Sequence, residues 1–336
     1  MSTIPGPTDR PVPPLDAAAA AGIIEARGPD RLPDSAPFSR GPTMGDSGKF
    51  WRGHDDWSRA EAAWDERAAA LARQRPLRTF RKNPELPGIR PGTRRFLAWK
   101  SLSYLHRHDR SGKLRRYFWR HPLRHGFGLL KVLLRGRSYR RDEDFFLYGL
   151  ADTEAFVRRL ERPDAVLVLG FSYCHKPFEC PAGRFTDRCH HERDNPVCGQ
   201  CFIGKAVHSL PEVRVIPLFI TTVHYIGEQM LAARAAWPGR DLLFLITACE
   251  LTLEMFGLVG RAVGFEGVGV RLDGQICNTM KAFAASEIGI KPGLAIVTEP
   301  TQARVMAILH AFHDAARNPP PSAPPGRAAL IATDRR

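Results

Sequence analysis

The sequence predicts an α/β fold: a mostly parallel sheet with helices on both faces, a cysteine-rich loop at its carboxyl edge and a basic helical region in front. Three observations carry this. After residue 142, continuous apolar runs of strand length alternate with helical stretches, as right-handed crossovers between buried parallel strands require. Directly after the first such run, five cysteines fall within the 28 positions from Cys174 to Cys201. Positive charge is gathered ahead of the alternation: between Arg73 and Arg141 stand 21 Lys or Arg against two acids, Glu85 and Asp109. That stretch alone carries +19, so the remainder of the +14 chain is net acidic by five.

The 336 residues, 43% apolar, suffice for one good core or two modest ones. Seven cysteines is an odd number, which excludes complete pairing into disulfides within one chain. No basic start followed by an apolar core marks a secretory signal, and no apolar run approaches the roughly 18 residues of a spanning helix. A reducing cytoplasm is the expected compartment, where clustered cysteines serve as metal ligands or redox groups more often than as staples.

In chain order, residues 1–47 are rich in Pro, Ala, Gly, Ser and Asp and read as a disordered tail. A basic, aromatic-rich helical region follows over 48–141. It begins with Trp57, Trp64 and Leu71 at intervals of seven, a spacing that docks tryptophans into a neighbouring surface. Further on, Phe80, Phe96, Trp99, Tyr104, Tyr117, Phe118, Trp119, Phe127 and Tyr139 interleave with the cations. Arginines beside aromatics suit single-stranded nucleic acid. Alternatively, Tyr117–Arg137 could lie flat on an anionic membrane, its Phe127, Leu129, Leu130, Val132, Leu133 and Leu134 dipping in. The bland alternative is a basic layer covering the acidic remainder.

The cysteine-rich α/β domain spans 142–317. Residues 142–160 (DEDFFLYGLADTEAFVRRL) suggest a helix, with Asp152 or Thr153 capping Glu154–Leu160. Strands are expected at Ala165–Phe171, Val213–Ile220, Leu242–Thr247, Gly267–Leu272 and Leu294–Thr298. Helices are expected near Ile226–Ala236, Leu251–Ala262, Asn278–Ile288 and Thr301–Ala316. The proline-rich residues 318–336 read as a second disordered tail.

Ligands of a parallel sheet gather beyond its carboxyl ends. Cys174, His224, Cys249 and Cys277 follow the first four expected strands, so all fall on that one edge. The loop itself has the spacing C-x5-C-x8-C-x8-C-x2-C. In Cys198–Gly–Gln–Cys201 two thiolates can grip one metal. A structural zinc could use Cys180, Cys189, Cys198 and Cys201, leaving Cys174, Cys249 and Cys277 as buried small residues. An iron–sulfur cluster drawing on both loop and edge cysteines accounts for more of them. Thiolate ligation alone does not separate the two. A dithiol at Cys198 and Cys201 is a third possibility, a redox turn opening a helix with a lowered thiol pKa. A radical S-adenosylmethionine enzyme is disfavoured, since no C-x3-C-x2-C triplet occurs. His175, His190 and His191 read as solvated loop residues or alternative ligands. His224 is either a ligand or acid–base group or a packed histidine. Glu250 is most economically a helix-start acid, and Asp273 a turn former.

The order CHKPFECPAG, CGQCFIG, TACEL and GQICNT resembles domain-of-unknown-function family 116, cysteine-rich proteins of bacteria and archaea. The likeness covers about residues 165–300. It implies metal or iron–sulfur binding and picks out Cys174, Cys180, Cys198, Cys201, Cys249 and the pair Asn278–Thr279. Where the family's last cysteine stands two places before the Asn, this chain has Ile276, with Cys277 one place later. Cys189 also lies further from Cys198 than the family's spacing.

The functional expectation is a cysteine-ligated iron–sulfur protein with a redox or enzyme-accessory role, acting with a small molecule or redox partner and docked on an anionic membrane. The alternative is a zinc-stabilised platform for nucleic acid or another polyanion; a purely structural adaptor is a third reading.

Overall fold

The structure, a computed structural model, describes residues 49–54, 56–81, 91–135 and 139–317. The expected tails at 1–47 and 318–336 lie outside the described residues, apart from which the elements run as follows.

In chain order they are α1 (Trp57–Gln74), α2 (Pro91–His108), α3 (Lys113–Arg120), α4 (Pro122–Arg135), β1 (Arg140–Asp142), β2 (Phe145–Tyr148), α5 (Thr153–Leu160) and β3 (Ala165–Ser172). There follow α6 (Pro196–Gln200), α7 (Phe202–His208), β4 (Val215–Ile220), α8 (Val223–Ala236), β5 (Asp241–Ala248) and α9 (Glu250–Ala262). The last are β6 (Glu266–Arg271), β7 (Asp273–Gly274), α10 (Met280–Ser286), β8 (Ala295–Ile296) and α11 (Glu299–Arg317).

The main sheet has the order β1-β2-β6-β5-β3-β4. Its four central-to-edge members β6, β5, β3 and β4 run parallel, and β2 joins β6 antiparallel. Side chains alternate between two cores. Leu167, Leu169, Phe171, Leu243, Leu245 and Val268 pack against α5, α7 and α11 through Phe156, Phe202 and Phe312. Val166, Val168, Phe244 and Ile246 pack on the other face against Ile226, Met230 and Phe256 of α8 and α9. With both faces covered, every strand position must be apolar, which is why these strands read as unbroken runs.

Two expectations are corrected. Residues 142–148 are not helical: Asp142 ends β1 and Phe145–Tyr148 form β2, a hairpin paired to β6. Phe145 and Leu147 face one core, Phe146 and Tyr148 the other. Four consecutive apolar residues cannot reveal this by periodicity, so the pairing with β6 decided it. The helix expected after it does form, with the Asp152 carboxylate accepting from Ala155 N at 2.6 Å. The second correction concerns Leu294–Thr298. Only Ala295–Ile296 is extended, and it pairs with Asp273–Gly274 in a separate two-stranded sheet. The free edge of β6, where a fifth parallel strand would go, is occupied by β2.

The tryptophans of α1 dock as their spacing predicts. Trp64 is buried. Trp57 stacks on His310 with ring centroids 4.3 Å apart, and its Nε1 donates to the Asp314 carboxylate at 2.9 Å. Lys205 of α7 bonds Glu61 and Asp65 of α1, each at 2.8 Å, which ties the helix to the cysteine-rich side of the fold. Among the described residues no helix is long and apolar enough to cross a membrane.

Candidate thiol centre at the sheet edge

The chain leaves β3 for β4 on one side and returns to the other side with β5. In a parallel sheet this reversal opens a crevice beyond the carboxyl ends of the two diverging strands. Cys174 and Cys249 emerge there. Past the end of β3, the Ser172 hydroxyl accepts from Cys174 N at 3.3 Å and sets the one-turn helix Tyr173–His175. Past the end of β5, Cys249 is the N-cap residue of α9, its Sγ 3.3 Å from Thr252 Oγ1. Cys277, arriving after β7, completes the group, and Lys291 Nζ donates to its Sγ at 3.4 Å.

The electrostatics of these three thiols differ. The Cys277 thiol is pulled well below its ordinary value, first by a hydrogen bond from the Cys249 thiol and then, against the cost of burial, by the Lys291 ammonium. The partner thiol, Cys249, is raised by the same hydrogen bond and by burial. Burial also raises Cys174, although Lys291 and Arg184 oppose it. Arg184 holds the approach in place, donating to Lys291 O at 2.9 Å and Cys174 O at 3.2 Å. Nearby, burial lifts the Glu287 carboxyl to about 8, while its oxygens accept from Val223 N at 3.0 and 3.2 Å. Helix α2 covers this edge through Leu97 and Tyr104, the latter packed edge-on to Phe283 with centroids 5.3 Å apart.

The remaining cysteines are elsewhere. Cys180, Cys189, Cys198 and Cys201, with His190 and His191, line a cavity of about 20 Å³ under the loop. Cys198 sits in α6, capped by Asn195, whose side chain accepts from Val197 N at 3.0 Å. Cys201 is the N-cap residue of α7. Gly204 lies so close to Cys198 O that a Cβ there would collide with it, so the CGQC turn folds back onto α7 only with glycine at that position. Burial, and secondarily neighbouring thiols, push Cys189 and Cys198 up to about 12; burial pushes Cys201 up to about 11. The lowered thiol expected at this redox turn is therefore not found. The nearby cation, Lys176, has its protons committed: Nζ donates to Arg188 O at 2.6 Å, Thr186 O at 2.7 Å and Thr186 Oγ1 at 3.0 Å.

Four sulfur donors around an apolar hollow are the donor set of a tetrahedral ion, and about 20 Å³ admits one water-sized sphere. Among the described residues, no three His, Cys, Asp or Glu side chains yet converge on a common point for an ion.

The structure thus brings Cys174, Cys249 and Cys277 together and groups Cys180, Cys189, Cys198 and Cys201 separately, rather than joining all seven. His224 is a packed histidine, its Nε2 3.0 Å from Leu105 O. His175, read as solvated, is instead buried and stacked on Phe202, which depresses its pKa to about 4. His190 and His191 line the loop cavity. Glu250 opens α9 and pairs with Arg141 at 3.7 Å, and the Asp273 carboxylate accepts from Gly274 N at 2.8 Å. Thr279 of the Asn278–Thr279 pair caps α10, accepting from Ala282 N at 3.1 Å. Sequence reasoning missed Lys176, Arg184, Glu287 and Lys291. The only signal for Lys176 was its place in the CHKPFEC motif; the others had none.

Fold and site together define a doubly wound α/β protein with a thiol group at its switch point. Comparison with family models, curated proteins and solved structures finds no match for this chain, so the resemblance to family 116 rests on its four motifs.

Proposed function

We propose that this chain is a thiol redox protein of a reducing compartment whose cysteine-rich loop is a structural metal site. The observation that supports it is the meeting of Cys174, Cys249 and Cys277 with the Lys291 ammonium at the switch point of the sheet. The reaction suited to that arrangement is thiol–disulfide exchange with a small or protein disulfide. The Cys277 thiolate attacks the acceptor disulfide and expels one thiolate. Cys249 then attacks the mixed disulfide, expelling the second sulfur, and its proton leaves with a product thiol. The acceptor disulfide is reduced to one thiol and one thiolate, the latter taking a proton from water, as Cys249 and Cys277 become a disulfide. In the loop, Cys180, Cys189, Cys198 and Cys201 would hold one ion, for which zinc has the matching donor preference. Bound there, it would supply cross-linking between α6, α7 and the loop.

A second reading is favoured by Cys174, which a dithiol leaves idle. Three thiols at one edge could carry an iron–sulfur cluster with one iron open to a small molecule. The two readings separate in one experiment. Protein purified without oxygen is assayed for zinc, iron and acid-labile sulfide, and its thiols are mapped by mass before and after exposure to glutathione disulfide. The first reading expects zinc lost in Cys198→Ser/Cys201→Ser and a reversible Cys249–Cys277 disulfide. Iron and sulfide lost in Cys249→Ser/Cys277→Ser establish the second. A chain with neither metal nor disulfide overturns both.

A further inference from the structure

Helices α3 and α4 present a face that the thiol chemistry does not use. The inner side of α4 is held firmly. Its Gly128 lies against α9 so closely that a Cβ would sit 3.1 Å from Ala262 C, and His125 is buried with Nδ1 3.0 Å from Phe118 O. On α3, Leu114, Tyr117 and Phe118 turn inward to line an apolar cavity against α8 and α9. The outer side is the reverse of what a solvated helix shows. Leu123, Phe127, Leu130 and Leu134 are spaced by four, three and four residues, forming one stripe, and they are 50–88% exposed. Trp119, at 66% exposure, extends the stripe onto α3.

Charge identifies what covers this stripe. Between Lys113 and Leu134 there are six Lys or Arg and no Asp or Glu. Arg115, Arg116, Arg120, Arg124 and Lys131 are exposed, and none is in an ion pair among the described residues. A second copy of the chain packed face to face would set cation against cation. Nucleic acid would need aromatic platforms for its bases, and the centre of the stripe is largely leucine. An anionic bilayer meets both demands at once: headgroups take the arginines and lysine while the apolar side chains enter the acyl boundary. Tryptophan beside the stripe belongs at that interface.

We propose that α3 and α4 form a membrane-docking face for anionic phospholipid, with Leu123, Phe127, Leu130 and Leu134 inserted and Arg120, Arg124 and Lys131 on the headgroups.

The full chain is sedimented with vesicles of phosphatidylcholine alone and of phosphatidylcholine mixed with phosphatidylglycerol, across a salt series. The mixed vesicles are expected to bind it, and the neutral ones to bind it at least about tenfold more weakly. Leu123→Ser/Phe127→Ser and Arg120→Glu/Arg124→Glu should each lower affinity for mixed vesicles at least about tenfold. All four side chains are exposed, so both variants should keep the wild-type melting temperature, and only variants that do so are compared. Binding that both variants retain, or equal sedimentation with neutral vesicles, overturns the proposal. It is equally overturned by a dimer that Leu123→Ser/Phe127→Ser dissolves, or by binding to single-stranded DNA in place of vesicles.

Discussion

The two thiol groups are built from the same side chain and behave oppositely. In the loop, Cys198 is buried and Cys189 and Cys201 are half-buried around a small apolar cavity, and loss of solvent pushes all three thiols up. At the sheet edge, Cys277 is buried too, yet a neighbouring thiol and an ammonium pull it well below the ordinary thiol value. The difference lies in where each neighbouring cation spends its protons. Lys176 gives them to the carbonyls of Thr186 and Arg188 and so shapes the loop. Lys291 gives one to sulfur. A buried cysteine is thus raised by desolvation unless a neighbour with hydrogen-bond capacity to spare opposes it.

The comparison breaks most visibly at Lys176. Its Nζ is the hub of the 183–188 segment, and Lys176→Met removes the one donor shared by the half-buried carbonyls of Gly183, Thr186 and Arg188. A loss of about 1–3 kcal/mol in urea unfolding is expected. A loss below about 1 kcal/mol would show that the loop is held by other contacts.

Glu287 tests the electrostatics of the edge. Its carboxyl titrates near 8 in the fold against an ordinary 4.5, chiefly because it is buried. Between these values the native protein keeps a proton that the unfolded chain has released. Glu287 therefore lowers stability as pH rises through that window, by at most roughly 1.4 kcal/mol per unit. Glu287→Gln removes this dependence, so its stability relative to wild type should climb from pH 5 to pH 8, read from urea midpoints. A constant difference across that range would place the carboxyl at its ordinary value.

The smallest expected effect sharpens the contrast between the two lysines. Lys291→Met takes away the cation beside Cys277 and so raises that thiol. Alkylation of Cys277 by iodoacetamide at pH 6 should slow roughly two- to tenfold, with Cys198 and Cys201 unreactive in both proteins. An unchanged rate would assign the lowering of Cys277 to Cys249 and Ser286.

Much of this was legible in the residues. The runs AVLVLGF, VRVIPLFI and LLFLIT announce strands because burial on both faces leaves no room for polar positions, and β3, β4 and β5 form there. Their order in the chain also put Cys174 and Cys249 at one edge before any contact was known. Trp57 and Trp64 declared a docked helix by their spacing.

Other features could be decided only by the tertiary fold. FFLY is apolar throughout, so it carries no period, and only pairing with β6 makes it a strand. That same pairing denies Leu294–Thr298 its place in the main sheet. The division of seven cysteines into four and three follows from strand order and from a loop gathered around Lys176, a residue that composition would place in water. Local sequence records whether a side chain is to be buried. Which groups it then meets depends on contacts between distant segments, and at this site those meetings determine whether a sulfur is a thiol or a thiolate.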